Sequence, residues 1–353
     1  MNLDHLDGYA AADESDALGD VEATSRQWAH ARELADLRID LADVDAVVVT
    51  GMGGSGIGGD VLRQLTARRA PWPVVVHKGY GLPAFVGPRT LVVATSYSGN
   101  TEETLSAFQE AGRRGAARFA ISSGGTLAAN CDAEGVACVR VPGGGQPRHS
   151  LGYLLVPVLV ALGIDDGIDE AVEELASTAE ALGRDVPAAA NPAKRLAQGL
   201  AGSGAPLLLG GQGLGAVAAY RLKCQLAENA KLPAMWGELP EADHNEVVAW
   251  QEPTPGSGVW KEPGAVSGAG GLICLRDLDG EHPRVRRRFE ITAALLDERF
   301  AWQEQLIATG TSPLARVASL VLQGDLVSVY TALALDRDPT PVPSIDRLKA
   351  ALA

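Results

Sequence analysis

The sequence predicts an α/β protein of two similar halves, each a parallel sheet flanked by helices. Three observations predict it. Apolar, β-branched runs, Ala46-Val47-Val48-Val49 and Leu91-Val92-Val93-Ala94, lead into GMGGSGIGGD at 51–60 and SYSGNTEET at 96–104, and a helical pattern follows each. Strand-like runs alternate with helical ones from Ala46 to about Gly163, as a parallel sheet with helical crossovers requires. Then Pro206-Leu207-Leu208-Leu209-Gly210-Gly211-Gln212-Gly213-Leu214-Gly215 repeats the strand and glycine loop of 46–56.

In chain order, residues 1–45 form a helical arm, with Trp28, Leu34 and Leu37 at helical spacing within a helix over about 15–40. The first domain, 46–165, has strands at 46–50, 74–77, 91–95, 117–122 and 136–141 and helices at 57–69, 101–113 and 151–162. Residues 166–195 supply a helix and a linker ending in Pro187, Asn191 and Pro192. The second domain, 196–353, restarts the pattern, with an amphipathic helix at 216–230. Beyond it, Lys231-Leu232-Pro233 and Gly237-Glu238-Leu239-Pro240-Glu241 read as a projecting loop, and the Pro/Gly-rich stretch 253–271 as an exposed one.

The two junctions of the first half suit an anion. Helix N-termini present unpaired N–H groups and the positive end of a macrodipole. Ser55, Ser96, Ser98 and Thr101 add hydroxyl donors without fixed charge. Both loops would leave the carboxyl ends of neighbouring strands, where open α/β sheets bind ligands. The inferred ligand is a phosphate on a small molecule. Gly51-Met52-Gly53-Gly54-Ser55-Gly56 fits the dinucleotide fingerprint G-x-G-x-x-G, but the next strand, Val74-Val75-Val76, runs into His77-Lys78-Gly79-Tyr80 and lacks the ribose-binding acid. No Gly-Lys-Ser/Thr closes a Walker loop. The second copy has Gly215 where the first has Ser55, which places the phosphate in the first half.

Composition narrows the class. A length of 353 residues suggests two domains, and 46% apolar content suffices for their cores. A net charge of −14 argues against nucleic acid or an anionic membrane as partner. The one basic run, Arg284-Val285-Arg286-Arg287-Arg288, reads as a solvated helix start or a subunit contact. Cys131, Cys138, Cys224 and Cys274 form no C-x-x-C pair, so neither zinc nor a disulfide framework is indicated. With no run of about 18 apolar residues and no signal-peptide pattern, a soluble, cytosolic protein is expected.

GMGGSGIGGD, SYSGNTEET, Gln146-Pro147-Arg148, Glu228-Asn229-Ala230-Lys231, His244-Asn245-Glu246 and Ile345-Asp346-Arg347-Leu348-Lys349 together resemble the bifunctional phosphoglucose/phosphomannose isomerases of the SIS (sugar isomerase) fold group. The resemblance runs in order over nearly the whole chain. It implies two SIS domains, a homodimer, and no metal or redox cofactor. It places the phosphate on Gly54, Ser55, Ser96, Ser98 and Thr101, and makes Arg148 the catalytic arginine, Glu228 the base, His244 the ring-opening histidine and Lys349 a C-terminal catalytic lysine. It further implies that His244 completes the neighbouring subunit's site. His149 departs from the small residue expected beside Arg148. Two other readings stand beside it: a non-catalytic phosphosugar-binding SIS protein, and an isomerase of another phosphosugar.

The chemistry fits those residue types. Moving a proton between C1 and C2 of an aldose phosphate through a cis-enediol needs a carboxylate that takes a proton and returns it, as Glu228 can. Opening the closed sugar needs a side chain that can both give and take a proton, a role an imidazole such as that of His244 suits, with Lys349 assisting. Arg148 supplies fixed positive charge for the enediolate. Binding energy from the remote phosphate orients the reacting carbons.

Overall fold

The computed structural model describes residues 2–250 and 270–352. The loop expected over 253–271 therefore lies outside the described residues except at its end, where Gly271 already opens a strand. Two compact units emerge, one of Ala23–Ala176 with Gly310–Ala315, the other of Met1–Glu22, Ser177–Thr309 and Arg316–Ala353.

The single leading helix expected over 15–40 is broken. Helices α1 (Tyr9–Ala12), α2 (Ala17–Glu22) and α3 (Thr24–Leu34) replace it. The buried Asp13 carboxylate accepts the N–H groups of Ala17 and Leu18 at 2.8 and 2.9 Å, which starts α2 afresh. Helix α3 stops where Ala35 turns extended.

In the first unit, β1 (Ala46–Thr50), α4 (Gly53–Thr66), β2 (Val74–His77), β3 (Thr90–Thr95), α5 (Glu102–Arg113), β4 (Ala117–Ser122), α6 (Gly125–Glu134), β5 (Cys138–Arg140) and α7 (Leu151–Ala161) follow in order. The strands form one parallel sheet in the order β2-β1-β3-β4-β5, with Val48 opposite Val92 and Val93 opposite Phe119. β1 and β3 are buried along their whole length, as central parallel strands are. Helix α4 begins four residues before its expected start, despite the glycines there. Close packing outweighs their poor helix propensity: a Cβ on Gly59 would lie 3.0 Å from the Val49 side chain. Helix α6, which is not among the helices expected above, ends at Gly135 in the left-handed region, φ 64°.

The second unit carries the sheet again. After α8 (Ile168–Leu182), which begins in the first unit, come α9 (Pro192–Gly202), β6 (Leu207–Gly211), α10 (Leu214–Gln225), β7 (Met235–Leu239), α11 (Glu246–Ala249), β8 (Gly271–Arg276), α12 (Pro283–Leu295), β9 (Trp302–Ile307), α13 (Pro313–Ala334) and α14 (Pro343–Leu352). Among the described residues its sheet runs β7-β6-β8-β9, all parallel, the same sequential pattern as β2-β1-β3-β4. Leu207, Leu209, Leu239, Leu272, Phe289 and Phe300 share its core with Trp250, whose ring lies 4.6 Å from that of Phe300.

The projecting loop expected between Lys231 and His244 is corrected. Its middle is the edge strand β7, paired with β6 from Met235 opposite Leu207 to Leu239 opposite Gly211. Pro233 and Pro240 flank this strand rather than interrupt it, and an edge position needs fewer ladder donors. Gly237 is required inside it, since a Cβ there would meet the Ala242 side chain at 3.0 Å. The basic run opens α12, with Arg288 paired to Asp243 at 2.6 Å and Arg287 to Glu290 at 2.5 Å. Helix α13 is long and apolar enough to cross a membrane, with mean hydropathy 1.5, but 89% of that window is buried inside the protein, as in a core helix.

Candidate active site

Parallel pairing of β1 with β3 brings two loops to the same sheet edge. Thr95, the last residue of β3, donates its hydroxyl to the Ser55 carbonyl at 2.8 Å and so ties one loop to the other. The Ser55 hydroxyl oxygen accepts the Tyr97 N–H at 3.1 Å. The Ser96 hydroxyl accepts the Gly99 N–H at 3.1 Å and lies 2.9 Å from the Thr101 hydroxyl. The Ser98 hydroxyl, on an exposed residue, accepts the Asn100 N–H at 3.3 Å. A hydroxyl whose oxygen is occupied by a backbone donor keeps its own hydrogen for another acceptor. Ser55 and Ser98 are thus poised as donors, and the Ser96–Thr101 pair shares one hydrogen and retains the other. Gly99, at φ +70°, is the residue this turn demands: a Cβ there would fall 1.8 Å from the Gly124 carbonyl oxygen.

Arg148 belongs to the same unit. It sits in a short 3-10 turn, Pro147–His149, is only 2% exposed, and donates to the Gln146 side-chain oxygen at 3.1 Å. This turn seats against the start of α4. A Cβ on Gly54 would be 2.6 Å from the Pro147 carbonyl oxygen and 2.7 Å from the Arg148 nitrogen, which explains the glycine. Gln27 on α3 braces the turn, donating to the His149 carbonyl at 2.7 Å and accepting the Gly152 N–H at 2.8 Å. His149 is buried and its N–H keeps the turn's bond to the Gln146 carbonyl at 2.9 Å, so the departure from a small residue leaves the turn formed. The sequence alone does not mark Gln27, because a glutamine on a helix face carries no local signal of its distant partner.

In the second unit, α10 runs into a wider, π-type turn, Leu226–Ala230, which carries the half-buried Glu228. Such turns redirect the side chains that follow and recur at functional sites. Helix α13 holds α10 firmly. Arg221 grips Asp325 through two nitrogens at 2.9 and 2.6 Å, Gln225 donates to Asp325 at 2.9 Å, and Asn229 donates to the Ser328 hydroxyl at 2.9 Å. Glu228 lines a cavity of about 570 Å³ with Lys231, Arg337, Val342, Pro343 and Ile345. Neither His244 nor Lys349 lines it. His244 is exposed at the end of the turn Glu241–His244, whose place is fixed by Asp243 through Arg288 and through the Thr292 hydroxyl at 2.8 Å. Lys349 is exposed on α14, a helix with no buried residue.

A doubled parallel sheet with a hydroxyl-lined loop pair on one copy fits the two SIS domains that the sequence resemblance implies. Residues 189–352 match the family described as "Bacterial phospho-glucose isomerase C-terminal SIS domain". The fold aligns with the crystal structure of a glucose-6-phosphate isomerase like protein from Thermus thermophilus, with a TM-score of 0.65 at 17% identity over 99% of each chain. The chain is 40% identical over 324 residues to the bifunctional phosphoglucose/phosphomannose isomerase of Caldicellulosiruptor bescii, covering 90% of this chain and 92% of that one. It is 38% identical over 322 residues to the enzyme of the same name from Aquifex aeolicus, covering 91% and 94%. The chain belongs to the bifunctional phosphoglucose/phosphomannose isomerase family.

Proposed function

We propose that this protein interconverts glucose 6-phosphate and mannose 6-phosphate with fructose 6-phosphate through a cis-enediol intermediate. The observation that carries the reading is the first-unit junction, where hydroxyls pre-set as donors stand at the starts of α4 and α5 and the buried Arg148 turn packs on Gly54. Gly54, Ser55, Ser96, Ser98 and Thr101 bind the dianionic phosphate through hydroxyls and helix N-termini. Glu228 takes the proton from C2 of the aldose and returns it to C1, and takes it from C1 in the reverse direction. Arg148 stabilises the enediolate oxygen as charge develops. His244 moves the proton that opens the ring, with Lys349 assisting. The family relationship supports an isologous homodimer in which His244 serves the neighbouring subunit, and a cytoplasmic location suits a sugar-phosphate substrate.

A coupled assay with each hexose 6-phosphate tests the reaction. Glu228→Gln keeps the side chain's shape without the proton acceptor, so turnover should drop at least about 100-fold, within the range of general-base contributions. Normal exchange of the C2 proton with solvent in that variant would remove Glu228 from the role. Subunit exchange between Glu228→Gln and His244→Ala chains should restore one site in two per heterodimer. Verified heterodimers as inactive as their parents would put His244 in its own chain's site or outside catalysis.

A further inference from the structure

The turn bearing Glu228 ends in an unusual way. Lys231 follows it in the left-handed region, φ 53°, a helix-terminating position where glycine is the default. A lysine there carries a steric cost, and its ammonium shows what offsets it. Nζ donates to the carbonyl oxygens of Asn229 at 3.1 Å, Asp338 at 2.7 Å and Pro339 at 3.0 Å, using all three donors that an ammonium has. Arg337 answers from the other side, its Nη1 donating to the carbonyls of Ala230 at 2.8 Å and Lys231 at 3.3 Å.

Each cation thus caps backbone carbonyls on the other's segment. The carbonyls of residues 229–231 lie at a helix end, where such groups lack intrahelical partners and where positive charge is favoured by the macrodipole. The segment they are tied to leads into α14. Apolar residues of this tail, Pro341, Val342, Pro343, Ile345 and Leu348, are candidate anchors for it. Ile345 is 38% exposed and Leu348 60%, so apolar burial along α14 does not hold it. The cations do.

We propose that Lys231 and Arg337 are positioning residues for isomerisation, forming a reciprocal clasp that holds the Glu228 turn and the start of the C-terminal tail in one working geometry. The proposal rests on the reading of Glu228 as the base. Arg221, Gln225 and Asn229 secure the turn towards α13, and the clasp secures it from its C-terminal side. A base that must reach two adjacent carbons tolerates little drift. Misplacement by about 1 Å can cost on the order of 100-fold in rate.

Lys231→Gly separates backbone from clasp, because glycine relieves the left-handed conformation while deleting the ammonium. The clasp requires kcat to fall about tenfold or more with KM changed less than about threefold, and Lys231→Arg, which keeps a cation, to recover most of the loss. Arg337→Met should reproduce the kcat defect from the tail side, and the double variant should lose little more than either single one, since one clasp is broken in all three. Thermal melting and limited proteolysis report folding. If Lys231→Gly and Arg337→Met fold and keep wild-type kcat while Glu228→Gln is inactive, the clasp is overturned and the base reading stands. A fully active Glu228→Gln removes the base reading and the clasp together. Failure of both clasp variants to fold would assign these cations to stability and overturn the positioning role.

Discussion

The two glycine junctions of this chain, β1–α4 with β3–α5 in one unit and β6–α10 with β8–α12 in the other, share a topology and differ in what fills them. In the first, the β3 loop presents Ser96, Ser98 and Thr101, and no carboxylate bonds to these hydroxyls among the described residues. In the second, the protein's own acid occupies the corresponding place. Glu281 pairs with Arg276, the last residue of β8, through two bonds of 2.8 Å, and accepts the Asp277 N–H at 3.2 Å. Its carboxylate lies 3.3 Å from where a Cβ on Gly211 would be, beside the glycine loop. Asp277 in turn pairs with Arg316 at 2.7 Å. The same geometry that makes an anion site in one copy is satisfied internally in the other. Duplication of a fold does not duplicate its chemistry.

Glu281→Ala would break this comparison most forcefully. Both partners of the Arg276–Glu281 pair are nearly inaccessible, and removing one partner of a buried pair costs about 3–5 kcal/mol. Chemical denaturation should show a loss of that size, with KM for hexose 6-phosphate in the folded fraction unchanged. A raised KM would mean that the second junction also serves substrate.

Arg148→Met tests the first junction's fixed charge. The variant keeps much of the stem but no guanidinium, and kcat should fall about 100- to 1000-fold, the usual range for a pre-placed electrostatic group. Substrate binding should persist, and a fall in kcat under threefold would reduce Arg148 to a brace for its turn.

One exchange between the copies and one deletion sharpen the contrast further. Gly215→Ser installs the first copy's residue in the second, but its Cβ would fall 2.6 Å from the Leu275 carbonyl oxygen. Overpacking of this kind costs about 1–3 kcal/mol, measurable as a lowered denaturation midpoint with no gain in phosphate binding. Ser98→Ala deletes a single exposed donor. A hydrogen bond to a charged group contributes about 1.5–3 kcal/mol, so KM should rise roughly tenfold or more while stability holds. An unchanged KM would place the phosphate elsewhere.

Much of this was legible in the residues. The strands at 46–50, 74–77 and 117–122 fall where expected because short runs dominated by Val, Ala, Ile and Phe between turn residues fit a buried parallel sheet in few other ways. Ser55, Ser96, Ser98 and Thr101 were visible as hydroxyls after strands. Strand β7 was hidden because Pro233, Gly237 and Pro240 mimic a loop, although the prolines stand at its ends and the glycine answers to Ala242 across the fold. The early start of α4 was hidden for a related reason: its glycines look unfavourable until Val49, Val76 and Pro147 are packed against them.

By itself the sequence determined part of the local grammar of this protein: which apolar runs of the first sheet extend, and which junctions after them carry donors. Those properties belong to single residues and their near neighbours, since propensity, capping and hydrogen-bonding capacity act within a few positions. Only the tertiary structure decided which donors stay available, that Glu281 closes the second junction, and that Lys231 bonds to the carbonyls of Asp338 and Pro339 while Arg337 bonds to those of Ala230 and Lys231, across a long stretch of chain. A charged side chain is neutral in meaning until its partner is known. That partner is chosen by the packing of distant segments, which costs too much entropy to form before the core assembles.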